Sequence, residues 1–228
     1  MPGSTVGAAR PPQISPAPGE LEKVRAFVNT RDIEEGTDDL ASTAGLADWL
    51  TRTGLMPEVG PAPPGGAVGG ARPAPVTPAD LARALTVRES LRGILRSHVA
   101  GPGSHAAGHA SDHVSGAAGE SAADLRRIAV ELPVRLEVAG DGRITPVPAG
   151  SGTDAALAAL LLIAAESAAL GTWPRLKACG ADDCQWAFYD RSPTQNGCWC
   201  TMQVCGARAK SRAYRRRAAS SRPPGGSR

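Results

Sequence analysis

The sequence predicts a mainly α protein with one β-hairpin, an α+β fold, ending in a small cysteine-rich module closed by a basic helix. Three observations carry this reading. Apolar residues recur at helical spacing in four segments of the first 170 residues; two alternating runs flank Asp141-Gly142; and all five cysteines fall between positions 179 and 205.

The elements follow in order. Met1–Gly19 is rich in Pro, Gly and Ala and is expected to be disordered, because it carries too little apolar surface to offset ordering entropy. Leu21–Asn29 sets Leu21, Val24, Phe27 and Val28 on one helical face. Thr43–Thr53 is a second short helix, with Leu46, Trp49 and Leu50 inward and Gly54 ending it. The Pro/Gly-rich stretch near 57–76 predicts a mobile loop. At Thr77-Pro78 a third helix begins with an N-cap residue followed by a proline suited to the first helical position. Its apolar period runs to about His98. Residues 100–120 return to Gly, Ala and Ser and predict a second mobile loop, since glycine disfavours helix. His105, His109 and His113 step by four within it but are read as loop histidines. Leu132–Val138 and Ile144–Val147 alternate around Asp141-Gly142, a hairpin signal. Asp154–Leu170 is an Ala/Leu-rich helix expected to be buried on most faces.

Composition narrows the classes. The chain has 228 residues, of which 42% are hydrophobic, 21% charged and 4% aromatic. The run Ala155–Ala165, stopped by Glu166, is too short to cross a bilayer, so no membrane span is expected. Met1–Glu20 has no apolar stretch of signal-peptide length, and a cytoplasmic location is therefore expected. The net charge of +3 is unevenly spread. Residues 1–170 hold 14 Lys/Arg against 19 Asp/Glu, a balance of −5, and residues 171–228 hold 11 against 3, a balance of +8. An acidic body with a basic end suits a partner such as nucleic acid, although a solvated tail has the same composition.

The cysteines sharpen this. Cys179 and Cys184 enclose four residues, Cys200 and Cys205 enclose four, and fifteen lie between the pairs. Two such thiolate pairs can close a tetrahedral four-sulfur site, the arrangement of structural Zn²⁺. Disulfide or redox use is the alternative, and it is disfavoured in a reducing cytosol. Four thiolates leave no open position on the metal, so one structural zinc ion and no catalytic site is expected. Cys198 can replace Cys200 as ligand or remain a free thiol; the matching gaps favour Cys200. Beyond Cys205, GARAKSRAYRRR predicts a helix on which Arg208, Arg212, Arg215 and Arg216 fall near one face, flanked by Lys210 and Arg217. These six are the candidate nucleic-acid contacts, chiefly to phosphates, with Arg212 and Arg216 expected to meet the duplex backbone together. The aromatics Trp186, Phe188 and Trp199 are read as the module's miniature core.

The segment Leu176–Arg217 resembles the CGNR zinc-finger proteins of bacteria. Their pattern of Cys-x4-Cys, Trp-x-Phe-Tyr-Asp, Trp-Cys-Ser-Met and Cys-Gly-Asn-Arg stands here as Cys179/Cys184, Trp186-Ala-Phe188-Tyr189-Asp190, Trp199-Cys200-Thr201-Met202 and Cys205-Gly206-Ala207-Arg208. Upstream, Ala26–Thr30, Asp38-Asp39-Leu40, Ala47–Leu50 and Val87–Arg92 are similar to the N-terminal ABATE domain of the same family. The resemblance implies a stress-induced transcription regulator that binds DNA through its zinc module, with an N-terminal domain that senses a small-molecule effector or mediates assembly, for instance as a homodimer. It divides the chain into an ABATE-like helical domain at 20–170, a zinc-finger module at 171–217 and a disordered tail at 218–228. Ala207 stands where the family has Asn, and an alanine side chain neither caps a turn nor reaches a base. A protein- or RNA-interaction module without specific DNA binding is therefore the alternative. No nucleophile–base pair or phosphate loop is recognisable, so no enzymatic activity is expected. Asn29, Thr30, Arg88 and Glu89, polar residues on otherwise apolar helices, are candidate effector-pocket residues, with surface ion pairing the plainer reading. Asp190 and Arg208 are expected to pair as the chain folds back around the metal.

Overall fold

The computed structural model describes residues 14–56, 74–99 and 111–220. The first helix, α1 (Leu21–Val28), buries Leu21, Val24, Phe27 and Val28, the face its spacing predicts. A short antiparallel pair follows, β1 (Arg31–Asp32) with β2 (Thr37–Asp38). In α2 (Thr43–Arg52) the Ser42 hydroxyl caps the N-terminus by accepting from the Gly45 amide at 3.1 Å. Gly45 is required there, since a Cβ would stand 2.2 Å from the Asp39 carbonyl oxygen. Trp49 of α2 lies against Phe27, their ring centroids 5.1 Å apart. The long α3 (Pro78–Ser97) opens with a complete capping box: the Thr77 hydroxyl accepts from the Asp80 amide, and the Asp80 carboxylate accepts from the Thr77 amide.

Two helices then pack on α3. The first is α4 (Ser111–Ala129), whose Leu125 and Ile128 lie half-buried against the core. The hairpin β3 (Val134–Val138) and β4 (Ile144–Pro148) leads into α5 (Gly152–Ala169). Ala156, Leu157 and Leu160 of α5 are fully buried with Val24, Val28, Val87 and Leu91. Each large aliphatic side chain so removed from water contributes about 1.5–3 kcal/mol. A 3₁₀ turn at Trp173–Arg175 feeds β5 (Leu176–Ala178), which pairs antiparallel with β6 (Ala187–Tyr189). Leu176, Ala178 and Ala187 belong to the same core as α1, α3 and α5. The cysteine module therefore stands on the helical body rather than hanging from it. A π-helical turn at Met202–Gly206 leads into α6 (Ala207–Ser220).

The α+β class holds: six helices with small strand pairs. Several local expectations do not. The stretch 111–120 is helix, not loop, because tertiary packing along α3 offsets the poor intrinsic propensity of Gly116 and Gly119. There are three two-stranded pairs among the described residues, not one hairpin. Residues 14–19 are placed, with Ala17 buried and its amide donating to Glu22 at 2.7 Å, and α6 runs on to Ser220. Residues 57–73 of the expected loop near 57–76, the stretch 100–110 with His105 and His109, and residues 1–13 and 221–228 lie outside the described residues. The run Ala155–Ala165 is part of a longer helix: α5 is by length and composition long and apolar enough to cross a membrane, with mean hydropathy 1.4 over 18 residues. Its buried face is the centre of the body's core.

Candidate metal centre and basic helix

The module's first cysteines are positioned by the β5–β6 ladder and the turn that follows β5. Cys179 continues the ladder, its amide donating to the Trp186 carbonyl at 2.9 Å. Cys184 ends a tight turn in which its amide and that of Gln185 both donate to Ala181, with Gln185 at φ +52°. The Gly180 amide donates to the Cys198 carbonyl at 2.9 Å and draws the second half of the module across. A side chain at Gly180 would meet Cys198 O, Trp199 and Val99 within 3.5 Å. Cys200 precedes the π-helical turn and Cys205 lies inside it; the Thr201 hydroxyl caps that turn by accepting from Val204.

The four sulfurs of Cys179, Cys184, Cys200 and Cys205 all lie within 4.8 Å of one another. Cys184–Cys200 and Cys200–Cys205 are 3.7 and 3.6 Å apart. A tetrahedron with zinc–sulfur bonds of about 2.3 Å has edges of about 3.8 Å, so the donor set fits one zinc ion. The charge balance agrees. Donation from the Cys184 and Cys200 thiols pulls Cys179 well below the usual thiol range, while Cys184 and Cys200 are pushed up by that sharing and Cys205 by burial. An apolar pocket cannot carry four thiolates without a cation, and a divalent metal supplies that charge. A zinc ion held by these four sulfurs would crosslink the end of β5, the turn after it and the π-helical turn that leads into α6. Cys198 stands outside the set, its thiol directed to the Asn196 carbonyl at 3.3 Å.

Behind the metal ligands sits a buried ion pair. Lys177 of β5 donates to Asp190 Oδ2 at 2.9 Å, with both side chains under 5% exposed. Lys177 also donates to the carbonyls of Gln195 and Gly197, and Asp190 accepts from the amides of Ser192 and Gly197. Burial works against ionisation of Asp190, but Lys177 and these amides overcome it and hold the carboxyl at about 2. The pair fixes the loop 190–197 that carries the chain from β6 to the second cysteine pair. The expected pairing of Asp190 with Arg208 is thus corrected: Lys177 takes Asp190, and Arg208 pairs with Glu34 of the body at 2.6 Å.

The six basic candidates all lie on α6, but the structure divides them. Arg208 is held at Glu34 and Arg212 lies 3.6 Å from Asp183, so the face they share is turned toward carboxylates. Lys210 and Arg215 are exposed, and among the described residues no carboxylate pairs with either. Arg217 is exposed near the helix end, beside Arg216 in sequence. Tyr214 is 75% exposed. Of the expected module core, Phe188 is buried and Trp186 and Trp199 are half-buried against the cysteines.

Asn29, Thr30, Arg88 and Glu89 do come together, in a network internal to the chain. Arg88 makes a two-pronged bond to Asp38 at 2.6 and 2.8 Å and also donates to Thr30. Burial opposes the charge on Arg88, and Asp38 and Glu89 more than restore it. Glu89 accepts from Arg88 and Arg92, and Arg92 in turn donates to the carbonyls of Val28 and Gln185. Asn29 clamps β6, accepting from the Ala187 amide at 2.7 Å and donating to its carbonyl at 2.9 Å. A ligand at these residues would have to displace those bonds. An apolar groove of about 380 Å³ between α3, α4 and α5, lined by Leu91, Ile94, Leu125, Leu161 and Trp173, lies elsewhere. Sequence reasoning missed Asp38, Arg92, Lys177, Glu34 and Asp183 as partners. Lys177, a lone lysine flanked by Leu176 and Ala178, was the visible signal among them.

A helical body with a four-cysteine metal module docked on it, closed by a basic helix, defines a zinc-finger protein of two parts. Family comparison agrees: residues 175–218 match the CGNR zinc finger, and residues 24–173 match ABATE, described as "Putative stress-induced transcription regulator". The chain belongs to the ABATE family. No curated protein matches it.

Proposed function

We propose that this chain is a DNA-binding transcriptional regulator of a bacterial cytoplasm, a binding protein rather than an enzyme, in which zinc holds α6 as the element that meets the duplex. The observation that supports this best is the position of α6. It starts two residues after the last cysteine of the metal site and carries Lys210 and Arg215 exposed on its surface. A cation fixed on a metal-anchored helix gains affinity by releasing counterions from phosphates, which needs no base contact. Ala207 and the pairing of Arg208 and Arg212 with carboxylates favour phosphate contact over base reading, and they also favour the second reading, an RNA- or protein-interaction module.

Binding of the zinc-loaded chain to duplex DNA of random sequence, measured at several salt concentrations and repeated after chelation, tests the proposal. Affinity that falls steeply with salt and is lost with the metal supports it. Binding to single-stranded RNA with no measurable binding to duplex DNA moves the chain to the second reading.

A further inference from the structure

The β3–β4 hairpin is built with one open edge and one closed edge. Its register pairs Val134 with Pro148, Leu136 with Pro146 and Val138 with Ile144. The flanking bonds, Ala139 amide to Arg143 carbonyl and Ala149 amide to Pro133 carbonyl, identify the odd-numbered residues of β3 as those bonded to β4. The backbone groups of Val134, Leu136 and Val138 therefore point outward from β3. On β4 the outward positions are Ile144, Pro146 and Pro148, and two of these have no N–H to offer. Prolines close the β4 edge, whereas β3 offers every donor and acceptor. Among the described residues no third strand covers it.

The side chains on β3 have the same character. Val134, Leu136 and Val138 are 48%, 68% and 70% exposed, and Ile144 beside them is 62% exposed. A lone two-stranded hairpin with an uncovered apolar face is marginal in water. On the other face stand one cation and one anion, Arg135 and Glu137, which pair with each other within the strand.

We infer that β3 pairs antiparallel with β3 of a second copy of this chain about a two-fold axis through Leu136, joining two hairpins into a four-stranded sheet. Charge complementarity singles out this partner and this register. With Leu136 opposite its own copy, Val134 meets Val138 of the other chain, and these outward-facing positions exchange about six backbone hydrogen bonds. The same register sets Arg135 of each chain opposite Glu137 of the other, two opposite-charge pairs in the close, non-hydrogen-bonded positions. A two-fold contact must be self-complementary, and the order Arg-Leu-Glu is so about its central residue. The inference is independent of DNA binding.

Sedimentation of the full zinc-loaded chain over a range of concentrations tests it, with circular dichroism and zinc content confirming that each exposed-site variant is folded. The parent dimerises. Arg135→Glu places Glu opposite Glu and Glu137→Arg places Arg opposite Arg, so each variant alone has a dissociation constant raised roughly tenfold. Mixing the two variants restores a heterodimer, because each then meets its opposite charge, and the double variant Arg135→Glu/Glu137→Arg dimerises as the parent does. A monomeric parent overturns the inference, and so does a dimer that neither single reversal weakens.

Discussion

At the residue scale, the Lys177–Asp190 pair is the most exacting feature of the module. Replacing one partner leaves the other charge buried without an opposite, a cost of about 3–5 kcal/mol. Asp190→Asn is therefore expected to lower the urea midpoint steeply even with zinc saturating, and to loosen the loop 190–197. Gly197 belongs to the same arrangement: a Cβ there would lie 2.9 Å from Asp190 Oδ2. His98 gives a second residue-scale expectation. Its Nδ1–H donates to the Leu176 carbonyl at 2.7 Å and its ring meets Trp173 edge-on. Burial lowers its pKa, and the Leu176 bond only partly opposes this. The folded chain then binds fewer protons at His98 than the unfolded chain does. This contribution to stability is full above about pH 6.5 and is lost as pH falls toward the folded value. Urea midpoints recorded between about pH 7 and pH 5 should fall less for His98→Gln than for the parent; equal slopes would remove His98 from the account.

At the element scale, α6 is partly restrained by the body. Arg208 and Arg212 are engaged by Glu34 and Asp183, so a phosphate must compete with these carboxylates. The pairs are largely exposed, so solvent and salt screen them and a phosphate can displace either carboxylate. Glu34→Gln with Asp183→Asn is accordingly expected to raise duplex affinity several-fold and to steepen its salt dependence; unchanged binding would show that α6 does not meet DNA through that face. The metal site was legible because its ligands are paired in sequence at equal gaps, and a local pattern needs no tertiary knowledge. The helices α1, α2, α3 and α5 were legible for the same reason, from apolar period and from end signals such as Thr77-Pro78 and Gly54. The helix α4 was not, because its Gly116 and Gly119 argue against helix and only packing along α3 decides otherwise. Nor were β5 and β6, since three-residue strands such as Leu176–Ala178 carry no period to read. The partner of Arg208 was misassigned because Glu34 is remote in sequence.

At the scale of the whole molecule, body and module share one core. Leu176, Ala178 and Ala187 pack with α1, α3 and α5; Asn29 clamps Ala187; Arg92 holds the Gln185 carbonyl beside Cys184; and Arg96 pairs with Asp182. A module that folded independently would unfold on zinc loss and spare the body. The shared core leads to a different expectation: zinc removal, or Cys179→Ser, lowers the melting temperature of the chain as one cooperative transition. Calorimetry distinguishes the two. Separate transitions, with the larger unmoved by chelation, would return the module to independence. Metal analysis should find one zinc per parent chain and a marked loss in Cys179→Ser.

The proposed contact of zinc-anchored α6 with nucleic-acid phosphates is open to a direct test through the exposed cations of the helix. Each phosphate neutralised contributes about 0.9 to the slope of log affinity against log salt. The measurement is titration of the zinc-loaded parent and of Lys210→Ala/Arg215→Ala against random duplex DNA across a salt series. Phosphate contact through α6 predicts weaker binding of the double variant to all sequences alike, with a slope flatter by roughly two units if each residue neutralises one phosphate. Identical affinity and identical slope for the two proteins would contradict it.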